Sequence, residues 1–372
     1  MSAIDSLIES SAFPARPVGR FVPALRECAT LQARRFPALE RLYRREGFDP
    51  RTLKTERDVA RLPYLYVSAF KEFPFPSRER FPVALTLTSS GTTGQKSRNV
   101  LDAGSLKRVR LIAEKVYSAL GMVDKAIETN YVCMTYDPRQ ARDLGTAFTD
   151  ELLTSFTRAA EVHYAIRRER AGAPFRFDLD ATLSALRRFS QTGLPLRVLG
   201  FPAHVRFTRQ AWVERAMPRL TFSEDSWVLT GGGWKGQQGA EIPKKEFRRE
   251  VSDWLGLPAE NIRDLYGLVE HGVPYVECRL GRMHVPDYAR VLVRDPETLR
   301  VLPWGRRGLL QLVTPYLTSF PSFSVLASDW GELRPACGCG TAGAVLTLHG
   351  RAGRSPAKGC AVTASELLEA RR

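Results

Sequence analysis

Apolar residues recur at helical spacing through the first 80 residues of the chain. The pattern is clearest between residues 21 and 43, where the apolar positions include Leu25, Leu31, Phe36, Leu39 and Leu42. This spacing is close to the 3.6-residue period of an amphipathic helix. Pro63 interrupts the pattern, and proline is disfavoured inside helices. The sequence therefore predicts a helical N-terminal region that contains a turn near residues 61–63.

From residue 81 onward, short β-rich runs alternate with helical stretches. The predicted strands cover residues 83–87, 131–136, 196–199, 227–230, 262–266 and 309–313. Two of the intervening helices are predicted at residues 105–120 and 244–255. In the second helix, Phe247, Val251 and Trp254 fall on one face. Alternation of strands and helices is typical of an α/β fold.

The composition is that of an ordinary globular protein. The chain has 372 residues, 44% of them hydrophobic and 26% charged, which is enough for one large domain or two moderate ones. No run reaches the roughly 18 apolar residues that a membrane-spanning helix needs. The N-terminus lacks the basic and apolar regions of a secretory signal, and six cysteines are too few for a disulfide scaffold. These features predict a cytoplasmic protein without a membrane span.

The formal net charge of +15 raises the question of a nucleic-acid partner. The excess comes mainly from arginines spread along the chain, and no basic run is interleaved with aromatic residues. We therefore predict no nucleic-acid partner, with a basic nucleotide- or nucleic-acid-binding module as the alternative. The surplus of positive charge suits an anionic substrate such as ATP. The sequence is equally compatible with a monomer and with an oligomer.

A predicted strand runs directly into a segment rich in glycine and hydroxyl side chains. The segment consists of Thr88, Ser89, Ser90, Gly91, Thr92, Thr93, Gly94, Gln95 and Lys96. Glycine allows backbone N–H groups to approach an anion closely, and the hydroxyls and the lysine add donors and charge. The spacing is not that of a Walker A loop. The pattern indicates a phosphate-binding loop, and the alternative is a polar loop without a ligand.

This segment resembles the phosphate-binding signature of the adenylate-forming superfamily, which includes acyl-CoA synthetases and luciferases. Further segments resemble the superfamily in the same order, at residues 231–236, 265–270, 328–331 and 350–351. The resemblance implies an α/β fold in which residues 1–349, with the helical N-terminal region, form the large adenylate-forming domain. Residues 350–372 would then form the hinge and a short tail, a truncated form of the superfamily's C-terminal domain.

The resemblance also implies roles in binding ATP and Mg²⁺. The loop and Lys96 would hold the β- and γ-phosphates, Glu270 would ligate Mg²⁺, and Asp329 would accept hydrogen bonds from the ribose hydroxyls. The other residues implied at the nucleotide are Gly231, Gly232, Gly233, Tyr266, Gly267 and Arg351. Those implied at the acyl group are Trp234, Lys235 and His271, and for His271 a structural role is equally consistent with the sequence. Val269 stands where the superfamily usually has threonine.

Cys360 lies near the end of the chain, in the string Lys358-Gly359-Cys360. A thiol near positive charge and ahead of a helix can have a lowered pKa and act as a nucleophile. With this tail and with residues 62–71, the chain resembles the acyl-protein synthetase component of the bacterial luminescence fatty-acid reductase complex. That family implies activation of a fatty acid, acylation of Cys360 and delivery of the acyl group to a reductase partner, with Cys360, Lys96 and Glu270 as catalytic residues. The alternative is a ligase that passes the acyl group to CoA or to a carrier-protein thiol.

Cys278 and His284 form one close pair of metal-binding residues, and Cys337 and Cys339 form another. Two such pairs separated by a long segment are a common way to build a tetrahedral Zn²⁺ site. We therefore predict a structural zinc ion that braces the chain after the Glu270 motif. The alternative is that these are four unrelated core residues.

Overall fold

The N-terminal region is helical, as the apolar spacing predicts. The computed structural model describes residues 1–88, 97–141, 145–170, 172–234 and 241–351 of the chain. The first elements are α1 (Ala3–Ile8), α2 (Phe21–Arg35), α3 (Pro37–Arg45), the short strand β1 (Leu65–Tyr66) and the short helix α4 (Ala69–Glu72). One face of α2 is buried, and Gln32 on that face donates hydrogen bonds to the carbonyls of Leu317 and Phe320. These bonds join the helical region to the rest of the molecule.

A hairpin and a seven-stranded sheet follow. The hairpin consists of β2 (Leu85–Thr88) and β3 (Arg98–Leu101). The sheet contains β4 (Glu128–Tyr136), β5 (Arg158–Arg167), β6 (Arg176–Phe177), β7 (Leu196–Gly200), β8 (Trp227–Gly231), β9 (Ile262–Tyr266) and β10 (Tyr275–Val276). The spatial order is β10-β9-β8-β7-β4-β5-β6, in which the strands from β9 to β5 are parallel. The two edge strands, β6 and β10, are antiparallel to their neighbours.

Helices accompany the parallel strands, because parallel neighbours require long crossover connections. They are α5 (Ala103–Ala119), α6 (Gly145–Thr154), α7 (Leu179–Phe189), α8 (Pro202–Glu214) and α9 (Lys244–Leu255). Strand β4 is buried at every position after Glu128, as expected of a strand covered on both faces. None of the described helices is long and apolar enough to cross a membrane.

A second, mostly antiparallel sheet completes the fold. It contains β11 (Met283–His284), β12 (Arg290–Arg294), β13 (Gly308–Val313), β14 (Ser324–Arg334) and β15 (Val345–Arg351). The order is β11-β15-β14-β13-β12, and β1 adds to β14 as a parallel neighbour. Side chains from the N-terminal helices and from both sheets share one continuous core, to which Leu25, Val276 and Val325 belong. The architecture is thus α/β, as the alternation of strands and helices predicts.

Candidate active site

A cavity of about 320 Å³ lies at the carboxyl edge of the parallel strands. Residues near the ends of β4, β7, β8 and β9 line it, namely Thr135, Gly200, Gly231 and Leu265. Open α/β sheets bind their ligands at this edge, where the strand ends leave a crevice. The apolar lining includes Leu101, Val109, Ala113, Phe148, Leu152, Leu153, Phe201, Leu229 and Val273. Such a lining suits a largely apolar ligand that is oriented by a few polar groups.

The hairpin β2–β3 is fastened beside this cavity. Its strands are connected by the predicted phosphate-binding residues, of which Ser89, Ser90, Gly91, Thr92, Thr93, Gly94 and Lys96 lie outside the described residues. Thr88 is described and ends β2. Ser97 Oγ donates to Glu270 Oε1 at 2.5 Å, and Asn99 Nδ2 donates to the Val269 carbonyl at 2.5 Å. These bonds hold the base of the hairpin against the predicted Mg²⁺-binding motif.

Glu270 is a buried carboxylate on the cavity wall. It is 3% exposed and lies in the connection between β9 and β10. Burying a carboxylate is unfavourable unless hydrogen bonds or a cation compensate for its lost hydration, and the Ser97 hydroxyl supplies one such bond. Glu270 lines the cavity, and carboxylate oxygens are ligands that Mg²⁺ prefers.

Tyr266, Asp329 and Arg351 form a connected group that bridges the two sheets. The Tyr266 hydroxyl donates to Asp329 Oδ2 at 2.9 Å, and Arg351 Nε lies 3.4 Å from Asp329 Oδ1. Asp329 and Arg351 are direct partners on β14 and β15, and both line the cavity. Burial, together with the nearby Asp329 charge, holds the pKa of Tyr266 well above its usual range, so that its hydroxyl remains a donor. The cavity thus contains an oriented carboxylate that can accept from ligand hydroxyls.

The glycine turn after β8 borders the same cavity. Gly231 and Gly232 line it, as does Gly267 after β9. Gly232 and Gly233 have φ angles of +75° and +69°, in the left-handed region that other residues rarely adopt. At Gly231, a Cβ atom would come within 2.9 Å of Leu265 Cγ. The turn therefore requires glycine both for its conformation and for space.

Trp234 and His271 are described in the structure, and neither of them lines the cavity. The Trp234 ring packs edge-on against Phe247, with ring centroids 6.0 Å apart. His271 is fully buried, and its Nε2 lies 2.7 Å from the Tyr275 hydroxyl. Burial lowers the pKa of His271 to about 3, so that its imidazole is neutral. Lys235 and Cys360, the other predicted contacts of the acyl group, lie outside the described residues.

Lys71 and Asp150 line the cavity, although the sequence alone assigned neither of them a role in the site. Lys71 lies on α4, and its side-chain ammonium group makes no hydrogen bond or ion pair with any other described residue. Asp150 lies on α6, is 5% exposed and accepts a hydrogen bond from the Thr135 hydroxyl. Burial raises the pKa of Asp150 to about 7, and the hydrogen bond from Thr135 opposes that shift. A single lysine or aspartate on a helix has no local signature, so that its position in three dimensions is needed to identify it.

Cys278, His284, Cys337 and Cys339 come together, as their spacing predicts. Their ligand atoms all lie within 4.8 Å of one another. Cys278 follows β10 of the seven-stranded sheet, whereas the other three residues belong to or follow strands of the second sheet. His284 Nδ1 lies 3.0 Å from the Ala342 carbonyl, and a hydrogen bond there leaves Nε2, 3.3 Å from Cys339 Sγ, free to bind a metal. Three sulfur atoms and one imidazole in this arrangement fit tetrahedral Zn²⁺.

Solved structures of 2-hydroxyisobutyryl-CoA ligase have a similar fold. An open conformation in complex with 2-HIB-AMP and CoA has a TM-score of 0.70 and 16% identity, covering 92% of this chain and 76% of that chain. A postadenylation state in complex with R3-HIB-AMP has a TM-score of 0.68 and 16% identity, covering 92% and 69% of the two chains. These likenesses confirm the predicted α/β fold.

Sequence comparisons identify a more specific protein family than the structural comparisons do. The long-chain-fatty-acid–luciferin-component ligase of Vibrio harveyi is 25% identical over 331 residues, which cover 84% of this chain and 80% of the relative. The ligase of the same name from Aliivibrio fischeri is 28% identical over 201 residues, or 52% of this chain and 51% of the relative. A family model described as acyl-protein synthetase, LuxE, matches residues 39–369. Because that match spans most of the sequence, the chain belongs to the acyl-protein synthetase family of ligases.

Proposed function

We propose that this protein joins a fatty acid to ATP as an acyl-adenylate and then holds the acyl group on Cys360 as a thioester. In the first step a carboxylate oxygen attacks the α-phosphorus, the α–β phosphoanhydride bond breaks and pyrophosphate leaves. In the second step the Cys360 thiolate attacks the acyl carbon, the C–O bond to AMP breaks and AMP leaves, while the thiol proton passes to solvent. The observation that carries the proposal is one cavity that combines an apolar lining with Glu270, Asp329 and Arg351.

The polar part of the cavity would hold ATP and Mg²⁺. Asp329, oriented by Tyr266, accepts hydrogen bonds from the ribose hydroxyls. Glu270 ligates Mg²⁺, which neutralises charge on the phosphates. Residues 88–96 hold the β- and γ-phosphates through backbone N–H groups and Lys96, and the hydrogen bond from Ser97 to Glu270 supports this role.

The apolar part of the cavity would hold the hydrocarbon chain. The two related ligases from Vibrio harveyi and Aliivibrio fischeri are named for long-chain fatty acids, which agrees with this assignment. Lys235 is retained as a proposed contact of the acyl group, whereas Trp234 and His271 would act by supporting the surrounding walls. Delivery of the acyl group to a reductase or carrier protein in the cytoplasm would complete the reaction.

The hinge and tail, proposed at residues 350–372, begin next to the nucleotide site. Arg351 ends β15 and lines the cavity, which supports a tail that starts beside the proposed domain of residues 1–349. Cys360 is nine residues beyond Arg351. A chain of that length spans at most about 32 Å. This length would allow Cys360 to reach an acyl-adenylate bound beside Arg351.

Acid-dependent exchange of radiolabelled pyrophosphate into ATP tests the proposed adenylation. The panel of substrates extends from aryl acids to long-chain fatty acids. We expect no exchange without a carboxylic acid, and exchange that saturates with the concentration of the fatty acids. A complete lack of exchange across the panel would overturn the proposal. Salt-sensitive binding of RNA without exchange would instead favour a basic nucleic-acid-binding module.

We infer that Lys71 stabilises the negative charge that develops where the acid meets the α-phosphate. Among the described residues that line the cavity, the cations are Lys71 and Arg351, and Arg351 is paired with Asp329. Asp150, Glu270 and Asp329 line the same cavity. Two anionic substrates that enter beside these carboxylates require compensating positive charge, and Lys71 is positioned to provide it.

Replacement of Lys71 by glutamine is expected to lower kcat for pyrophosphate exchange by about 100-fold and to change the KM for ATP much less, because the charge acts in the transition state. Lys54→Gln is the matched control, since Lys54 is exposed and does not line the cavity. The measurement is the steady-state rate of pyrophosphate exchange by each of the two variants and by the wild type. Equal rates would contradict the role of Lys71.

We propose that Cys278, His284, Cys337 and Cys339 hold a structural Zn²⁺. The ion would join the end of β10, close to Glu270 in the chain, to strands β11 and β14 of the second sheet. It would therefore brace the junction between the two sheets behind the candidate active site without taking part in the reaction.

Removal of this zinc by a chelator, or the substitution Cys337→Ser, is expected to lower the melting temperature by on the order of 10 °C, because metal binding contributes directly to folding free energy. Elemental analysis should find about one zinc per native chain and far less in Cys337→Ser. Cys28→Ala, which removes a buried thiol outside the cluster, should retain its zinc. Native protein free of zinc would rule out the ion.

A further inference from the structure

A buried carboxylate lies among the apolar residues of the cavity. Asp150 lines the cavity and is 5% exposed. The Thr135 hydroxyl donates to Asp150 Oδ2, whereas Oδ1 accepts no hydrogen bond from any described residue. Oδ1 is nevertheless not fully enclosed by protein. Because the side chain is otherwise covered, the accessible surface of Oδ1 lies on the side of the cavity.

No cation among the described residues balances the charge of Asp150. Burial raises the pKa of Asp150, and the opposing hydrogen bond from Thr135 is the only other contribution. Burial also raises the pKa values of Tyr117, Cys133 and Tyr164, and the charge of Asp150 adds to each shift, so that these neighbours are neutral. A ligand group that covers Oδ1 without donating to it therefore leaves a buried carboxylate oxygen unpaired, which is unfavourable.

The order of the strands separates Asp150 from the glycine turn at the candidate nucleotide site. Thr135, which bonds to Asp150, lies on β4, whereas Gly231 ends β8. Strand β7 lies between β4 and β8 and pairs with both, so that these two strands are two spacings, or roughly 10 Å, apart. Leu199 on β7 lines the cavity. An acyl chain that starts beside the glycine turn would therefore cross apolar surface before it reaches Asp150.

We propose that Asp150 sets the upper limit of the acyl chain length. The inference rests on the proposed acid activation and deepens it by defining which acids fit. Each methylene group buried before Asp150 improves binding by up to about fourfold. A methylene group that covers Oδ1 excludes water from the carboxylate and donates no hydrogen bond, so that longer acids lose this advantage. Thr135 acts as a positioning residue, because its hydrogen bond fixes the carboxylate.

Pyrophosphate exchange by the wild type tests the limit directly. The substrates are straight-chain saturated acids that differ by one carbon from one to the next, from short to long chains. We expect kcat/KM to rise with chain length, to pass through a maximum and then to fall by about tenfold or more within two further carbons, because an unpaired buried carboxylate oxygen is costly. A value of kcat/KM that rises or stays level through the longest soluble acids would overturn the inference.

Substitutions separate the polarity of Asp150 from its size. The double variant Thr135→Val/Asp150→Val replaces both partners of the hydrogen bond, which avoids an unpaired hydroxyl. Acids one or two carbons longer than the wild-type optimum should then gain about tenfold in kcat/KM relative to that optimum. Valine is no smaller than aspartate, so that added space would not explain the gain. Asp150→Asn keeps the shape and a polar group, and should leave the optimum unchanged.

Asp137→Asn is the matched control, since Asp137 is a buried aspartate that pairs with Arg139 and does not line the cavity. It should keep the wild-type optimum. An optimum that stays the same in the double valine variant would overturn the limit, as would a shift of the same size in Asp137→Asn. A terminally hydroxylated or aminated acid that exceeds every plain acid would also overturn it, because Asp150 would then bind a substrate group. Exchange with none of the acids would instead remove the proposed function itself.

Discussion

Cys360→Ala is expected to abolish covalent labelling of the protein by a radiolabelled acid and ATP, while acid-dependent pyrophosphate exchange stays within about threefold of wild type. The two activities separate because adenylation needs the phosphate, ribose and Mg²⁺ contacts, whereas acylation needs the thiolate. Label on the wild-type protein should survive denaturation and be released by neutral hydroxylamine, which cleaves thioesters. The measurement is radioactivity per mole of protein before and after that treatment.

Cys339→Ala and Cys28→Ala serve as control variants in the same labelling experiment. Cys28 is fully buried, and burial raises the pKa of its thiol well beyond that of a reactive cysteine. Cys339 belongs to the proposed zinc cluster. Both variants should still become labelled below their melting temperatures. If Cys360→Ala retained as much label as the wild type, the acyl group would reside elsewhere, and transfer to CoA or a carrier thiol would become the better hypothesis.

Strands β4, β7 and β8 could be predicted from the sequence because they are buried over most of their length, whereas the parallel strand β5, which is exposed over its first four residues, was not predicted. Buried strands appear as continuous apolar runs, which are easy to distinguish from their surroundings. The strand predicted at residues 262–266 coincides with Ile262–Tyr266, and the helix predicted at residues 244–255 coincides with Lys244–Leu255. The strand predicted at 83–87 begins later, at Leu85, since Val83 is exposed and lies outside the hairpin.

The strands that carry part of the site were harder to predict. Ser324–Arg334 contains Asp329, Gly331 and Glu332 among its apolar residues, and its pairing with β15 is irregular between Asp329 and Gly331. Those polar residues break the alternation by which a strand is identified, and Asp329 among them lines the cavity. Polar residues of a candidate binding site thus interrupt the hydrophobic pattern of the strand that carries them.

Long-range pairing also limits what the sequence reveals about the site. Asp329 and Arg351 were assigned to the nucleotide site through separate motifs, and their direct contact follows from the pairing of β14 with β15. Lys71 reaches the cavity because β1 joins β14 and carries α4 with it. Asp150 reaches it from a different helix, α6. The sequence around Lys71 or Asp150 contains no local pattern that predicts their positions on the cavity wall.

Glu270→Gln is expected to reduce acid-dependent pyrophosphate exchange by about 100- to 1000-fold at a Mg²⁺ concentration that saturates the wild type. Glutamine keeps the size of the side chain, and its carbonyl oxygen can still accept from Ser97, so that the hairpin remains attached. The lost charge would remove the proposed Mg²⁺ ligand, which is expected to stabilise the departing pyrophosphate. Because an ionised carboxylate is costly to bury, the variant should be at least as stable as the wild type.

Glu277→Gln distinguishes this effect from a general loss of buried charge. Glu277 is 1% exposed, pairs with Lys244 and Arg248 and does not line the cavity. Its replacement should lower the melting temperature, since Arg248 loses its carboxylate partner and Lys244 retains only Asp264. It should leave the Mg²⁺ dependence of exchange unchanged below that temperature. Glu270→Gln should give the opposite pattern, with stability retained and with exchange that requires far more Mg²⁺. Exchange by Glu270→Gln within about threefold of wild type at every Mg²⁺ concentration would exclude Glu270 as a ligand of the catalytic ion.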